Sequence, residues 1–309
     1  MKHIFVNLKR FDVPRKLGGV CPLDDPQEWI SGVIQRSIEL GLAAQPELSL
    51  VYLLPEGLVP IACQALTRFS AGQSLSLQIG CQGVHWEDIA PGKNFGAFTT
   101  AKPANAVKNL GSSWVIIGHS EERRFKRQVL EAYDPAITIH PVSYKRATQA
   151  INQLAHAEVL CALKAGLNVL YCVGETEQER GSGEFNQQQL SIQTVLQDQL
   201  LTGLDGVTEF RGTHKLVIGY EPVWAIGPGK TPPNAEYISF VANLINQFVT
   251  ERIGSSIPVV YGGGLKEENA SILAGIDALS RGLVGLTRFS GEIGFDVDGL
   301  KNIIDRYQA

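Results

Sequence analysis

The sequence predicts an α/β fold, a single closed (β/α)8 barrel, and three observations predict it: eight short apolar runs, amphipathic segments between them, and no linker dividing the chain. The runs fall at 4–7, 48–53, 77–81, 114–117, 168–173, 216–220, 258–261 and 282–285. They are apolar nearly throughout rather than alternating, as strands covered on both faces of a parallel sheet must be. Helical periodicity follows at 26–44, at 145–164, where Ala147, Ile151, Leu154, Ala155 and Val159 share one face, and at 233–252. Eight strands close such a barrel, which typically takes about 250 residues and tolerates insertions, so the 309 residues here are read as one domain, 1–309.

Two stretches break the rhythm and are expected to be surface insertions. One is 88–95, with Pro91-Gly92, after the third strand; the other is 125–143, with Pro135 and Pro141, too irregular to be a barrel element.

Charge is nearly balanced, 27 basic against 31 acidic residues, with no basic block and no interleaving of aromatic and basic residues. Nucleic acid is therefore not an expected partner. No apolar run approaches the ~18 residues of a membrane span, and Met1-Lys2-His3 leads directly into a strand, so a cytoplasmic protein without a membrane partner is expected. Cys21, Cys63, Cys81, Cys161 and Cys172 are scattered and odd in number, which reads as reduced thiols. The histidines are equally dispersed and suggest no metal site.

In a parallel barrel the reactive groups stand where strands end. The first strand delivers Asn7 and Lys9, the fourth His119, and the sixth Glu221, followed at once by Pro222. A neutral donor, a fixed cation, an imidazole and a carboxylate make a set suited to moving a proton beside a carbonyl. His119-Ser120-Glu121 ends a strand and opens a helix, and the positive end of a helix favours the neutral imidazole. After Glu221, two prolines and several small residues give a segment able to swing as a lid over the carboxylate. Gly227, the run Gly262-Gly263-Gly264 and Gly285 place glycines at three adjoining strand ends, where exposed backbone N–H groups suit a phosphate.

These residues give the chain a resemblance to the triosephosphate isomerase family, running from Phe5 to about Ile304. Four stretches carry it: Asn7-Leu8-Lys9; Ile116 through His119-Ser120-Glu121; Cys172-Val173-Gly174-Glu175-Thr176; and Tyr220-Glu221-Pro222-Val223-Trp224-Ala225-Ile226-Gly227. The resemblance implies a TIM barrel and an aldose–ketose isomerase of glycolysis and gluconeogenesis that interconverts dihydroxyacetone phosphate and glyceraldehyde 3-phosphate without a cofactor. It implies that Glu221 moves a proton between adjacent carbons, His119 donates to the developing oxyanion, Lys9 stabilises that charge and the phosphate, and Asn7 positions the substrate. Glu121 would orient Lys9, and Cys172 would be structural. Gly227, Gly263, Gly264, Gly285 and Leu286 would hold the phosphate. The resemblance also implies a homodimer, with Phe98 and Thr99 of Gly96-Ala97-Phe98-Thr99 crossing into the second subunit.

Several positions depart from the family pattern. Gly264 replaces a phosphate-holding serine, Leu286 replaces a glycine, and Arg288 follows, either restoring an anion contact or standing exposed. Pro228 replaces a threonine in the lid, Pro232 stands at its far hinge, Glu122 stands in place of an arginine, and the glutamate usual after Thr99 is absent. Two other readings follow from these departures: an isomerase of a four-carbon ketose phosphate of the erythrulose phosphate type, or a weakly active or inactive paralogue that binds a sugar phosphate or a partner.

Overall fold

A computed structural model describes residues 2–210, 212–227, 229–289 and 291–308. In chain order the strands and helices are β1 (Lys2–Asn7), α1 (Pro26–Glu39), β2 (Leu48–Leu54), α2 (Val59–Leu66), β3 (Leu77–Cys81), α3 (Ala104–Asn109), β4 (Trp114–Ile117), α4 (Ser120–Tyr133), α5 (Pro141–Lys164), β5 (Asn168–Val173), α6 (Glu177–Arg180), α7 (Phe185–Gly203), β6 (Leu216–Tyr220), α8 (Ala235–Ile253), β7 (Val259–Tyr261), α9 (Ala270–Ala274), β8 (Arg281–Val284) and α10 (Val297–Gln308). The strands pair in sequence order, all parallel, and β8 closes on β1. The fold is therefore the (β/α)8 TIM barrel.

The barrel interior is filled by Phe5, Val51, Leu53, Trp114, Ile116, Leu170, Cys172, Val217, Val260 and Leu283. A second, larger apolar layer lies between the strands and the helices; all seven residues of β2 are buried because each of its faces meets one of these layers. Helix starts follow local chemistry. The Asp25 side chain accepts from the Gln27 N–H ahead of α1, with Pro26 in the first turn, and Asn234 accepts from the Tyr237 N–H at the start of α8. Among the described residues no helix is long and apolar enough to cross a membrane.

The strand runs of the sequence match the observed strands to within two residues at each end. Helix bounds differ more. The periodicity over 26–44 is interrupted after Glu39, where Gly41 takes a left-handed conformation and a 3-10 turn, Leu42–Ala44, follows. The expectation of irregular chain over 125–143 is corrected. Its first part is the end of α4, Pro135–Thr138 forms a 3-10 turn capped by the Asp134 carboxylate, and Pro141 is the first residue of α5. Proline disrupts a helix interior but fits its first turn, so neither proline opposes helix here. The stretch 88–95 has no strand or helix; Asp88 accepts from the backbone and side-chain N–H groups of Asn105, and Phe95 at the tip has a positive φ.

Candidate active site

The C-terminal ends of β1, β4 and β6 bring Asn7, Lys9, His119 and Glu221 to one mouth of the barrel. The decisive contact is between His119 and Glu221: imidazole Nε2 lies 3.2 Å from carboxylate Oε1. Glu121 N–H donates to His119 Nδ1 at 3.2 Å. An N–H pointing at Nδ1 leaves no room for a second ring hydrogen, so the imidazole is neutral and carries its one hydrogen on Nε2. The first turn of α4 therefore sets the tautomer.

The rest of that turn sets the ring's position. Gly118 has a left-handed φ, and a Cβ there would stand 2.8 Å from the Cys172 carbonyl oxygen. Its N–H donates to Glu122 Oε2 at 2.6 Å, and its carbonyl accepts from Arg123 Nε at 2.8 Å. Glu122, which departs from the family pattern, thus grips the backbone just ahead of His119. It belongs to a buried cluster in which Lys126 Nζ donates to Glu122 at 2.6 Å and to both oxygens of Glu158 at 2.7 Å. One ammonium serves two carboxylates; burial, then the neighbouring Glu122 charge, pushes the Glu158 carboxyl up to about 9.

Glu221 is almost wholly buried, yet no cation touches it among the described residues. Its Oε2 accepts from Ser120 N–H at 2.9 Å, and its Oε1 accepts from the Ser120 hydroxyl at 3.1 Å. Backbone crowding fixes its root: a Cβ on Gly174 would fall 1.8 Å from the Glu221 carbonyl oxygen, so only glycine lets these chains approach.

Lys9 Nζ donates to Glu121 Oε1 at 2.8 Å. Half-burial acts to raise the Glu121 carboxyl, and the Lys9 ammonium more than offsets it, so the carboxyl sits below its ordinary value. Asn7 accepts at Oδ1 from Gln82 Nε2 at 3.1 Å, which leaves its own amide N–H groups for the mouth.

On the far side of the mouth, the N–H groups of Gly227, Gly263, Gly264 and Leu286 make no turn or loop hydrogen bond among the described residues. Four unspent backbone donors on the loops after β6, β7 and β8 suit an anion. Gly285 lies beside them at the end of β8. The Arg288 guanidinium is exposed and paired at 3.2 Å with Asp296. Pro228 lies outside the described residues, and Pro232 lies in the exposed chain ahead of α8. Phe98 is half-buried beside the His85 ring and Thr99 is exposed.

Three features were not singled out from the sequence. Gln82 fixes Asn7, and Ser120 holds Glu221. Glu175, fully buried, accepts at Oε1 from Tyr220, Trp224 and Tyr237 at 3.0, 2.8 and 2.7 Å, while Arg180 lies 3.7 Å over the Trp224 ring. The place of Ser120 directly after His119, where a strand gives way to a helix, is the local signal for it, although His119 and not Ser120 caps that helix; nothing local marks Gln82 or Tyr237.

Residues 56–292 match the family model described as Triosephosphate isomerase. A triosephosphate isomerase of Pelodictyon phaeoclathratiforme is 33% identical over 68% of this chain and 69% of that one. One of Chlorobium chlorochromatii is 32% identical over 74% and 77%. The crystal structure of triosephosphate isomerase from Bartonella henselae matches over 100% of this chain and 99% of that one, with a TM-score of 0.65 at 23% identity.

Proposed function

The chain belongs to the triosephosphate isomerase family and interconverts dihydroxyacetone phosphate and glyceraldehyde 3-phosphate, and we propose that Glu221 and His119 perform this chemistry through an enediolate. Pairing a glutamate base with a neutral histidine is the known pattern of this family and is taken over from it. The observation that carries it onto these residues is the 3.2 Å contact from His119 Nε2 to Glu221 Oε1 at the mouth.

Glu221 takes a proton from the carbon next to the carbonyl. The C–H electron pair becomes the C=C bond of the enediolate, and the carbonyl π pair moves onto oxygen. His119 Nε2–H donates to that oxygen, with the Lys9 ammonium and the Asn7 amide beside it. The hydroxyl proton of the neighbouring oxygen passes to the former carbonyl oxygen, with the His119 imidazole beside both. Return of the proton taken from carbon, from Glu221 to the former carbonyl carbon, then leaves the new carbonyl on the adjacent carbon. Glu221 must leave its Ser120 donors to reach the substrate; those donors are neutral and come from a single residue, so the exchange is cheap. Gly227, Gly263, Gly264, Gly285 and Leu286 hold the phosphate, and closure of the lid excludes water from the enediolate. Glu121 keeps Lys9 in place.

The chain acts as one domain over 1–309, in the cytoplasm, as a homodimer in which the loop bearing Phe98 and Thr99 meets a second copy. The support for the dimer is the exposure of that loop, with Phe95 at its tip almost fully exposed.

A coupled assay with dihydroxyacetone phosphate in D2O tests the mechanism. Turnover with deuterium entering the carbon skeleton of product or recovered substrate is expected, because a carboxylic acid exchanges with solvent. Turnover with no label in either would establish a hydride shift and remove the enediolate.

A further inference from the structure

Lys266, in the loop between β7 and α9, has no role in the site described above. It is the one cation in the loops after β6, β7 and β8 that meets no carboxylate among the described residues: Lys230 pairs with Glu177, and Arg288 with Asp296. The loop after β1 spends its cations likewise, Lys9 on Glu121, Arg10 on Asp12, Arg15 on Glu292 and Lys16 on Asp24. Lys266 instead extends toward the β8 side, where its Nζ lies 4.0 Å from the centre of the Phe289 ring. A cation held on an aromatic face spends none of its N–H donors on an oxygen acceptor and can leave the ring for an anion.

The loop that carries it is fixed. Lys266 N–H donates to Asn269 Oδ1 at 2.8 Å, and Asn269 Nδ2 donates to the Gly264 carbonyl at 3.0 Å, so one asparagine clamps the turn from both sides. The Lys266 side chain folds back along this turn: its Cε lies 3.9 Å from the point that a Cβ on Gly264 would occupy. Gly264 brings no side chain of its own to the anion site, and its N–H is unspent. Lys266 fills that space with a cation.

We propose that Lys266 is a substrate-binding residue that closes the phosphate site from the β7 loop, its ammonium leaving the Phe289 face to meet the dianionic phosphate ester as the backbone N–H groups of Gly263 and Gly264 engage it. The inference rests on the isomerase reading for the identity of the ester, and on the unpaired cation for the residue. Phe289 is the resting place of the charge, and Asn269 is a positioning residue.

The test uses Lys266→Met, which keeps the aliphatic stem on Phe289 and removes the charge, and Lys266→Arg, which restores a cation. KM and kcat for dihydroxyacetone phosphate are measured together with direct calorimetric binding of inorganic phosphate. In Lys266→Met, KM and the phosphate Kd should both rise about ten-fold, as for loss of one charge-assisted hydrogen bond, while kcat stays within two-fold; Lys266→Arg should recover most of the affinity. KM and phosphate Kd within two-fold of wild type in Lys266→Met would overturn the proposal. So would a fall in kcat with both affinities unchanged, or a loss of affinity that Lys266→Arg shares in full. Should the wild-type protein fail to isomerise the triose phosphate, the isomerase reading falls alone, and the phosphate binding of the two variants still decides the role of Lys266.

Discussion

Glu221 and Glu175 stand at the ends of neighbouring strands, and both are almost wholly buried, yet they are held in opposite ways. Among the described residues the Glu221 carboxylate meets His119 and Ser120, adjacent residues at the start of α4, and the buried Cys172 thiol on β5. Glu175 gathers its donors from three places: Tyr220 on β6, Trp224 at the root of the lid and Tyr237 on α8. A carboxylate whose oxygen and nitrogen donors are two adjacent residues can exchange them by a small swing. One tied to three elements cannot move without separating them. Burial thus serves two purposes on neighbouring strands: it leaves one carboxylate free to act in the proposed reaction and makes the other a rivet between β6, the turn after it and α8.

The largest effect expected from this contrast is on catalysis. Glu221→Gln keeps the shape of the side chain and removes the base, so kcat should fall about 10³- to 10⁴-fold, at the upper end of what a general base contributes. Urea unfolding should change little, because the amide of Gln keeps an oxygen to accept from Ser120 and the link from β6 to the start of α4 survives. An enzyme retaining a tenth of its kcat would show that Glu221 is not the base, and the contrast would break at its first term.

Much of this arrangement was legible in the sequence, for a physical reason. A strand buried on both faces is a continuous apolar run, and its reactive group is the first polar residue after the run ends. Asn7, His119 and Glu221 all stand there. Gln82 and Tyr237 were not legible, because their roles depend on contacts to Asn7 and Glu175 across 75 and 62 residues. The helical nature of 125–133 was hidden differently. No residue of α4 is buried, and Phe125, Val129 and Tyr133 face outward, so the segment lacks the inward stripe by which a helix is recognised.

The same contrast divides the histidines. His119 has both ring nitrogens engaged at the catalytic mouth. His3, at the start of β1 and therefore at the opposite end of the barrel, is packed against Phe5 and Trp114, with Nδ1 buried and unpartnered among the described residues. It lines a cavity of about 250 Å³ there. Burial, then the nearby Lys215 charge, lowers its pKa from 6.5 to about 4. The folded state therefore binds this proton less readily than the unfolded chain does. The neutral ring's contribution is fully present above pH 6.5 and is lost as pH falls toward about 4. In wild type, the drop in unfolding free energy between pH 7 and pH 4.5 should exceed that of His3→Phe by about 2 kcal/mol, measured by urea titration at the two pH values. Parallel pH profiles for the two proteins would mean that His3 is solvated, and that the two ends of the barrel treat imidazole alike.

The smallest effect sharpens the account of Glu175. Tyr237→Phe removes one hydroxyl donor while keeping the ring against Phe185 and Trp224, whose centroids lie 4.7 and 5.4 Å away. Burial already raises the Glu175 carboxyl, and the Tyr237 hydrogen bond acts against that rise. Losing it pushes the group further up, and a carboxyl raised by folding costs stability as pH climbs past its unfolded value. The variant should therefore be less stable by about 1.5 kcal/mol at pH 7, with a smaller deficit at pH 5, where more of the acid is protonated and forgoes only a neutral hydrogen bond. Because Tyr220 and Trp224 still tie β6 and the lid to Glu175, kcat should stay within two-fold. A deficit equal at both pH values would show that the hydroxyl does not serve an ionised Glu175. A ten-fold loss of kcat would put Glu175 among the groups that move with the lid, and the division between a carboxylate that works and one that holds would fail.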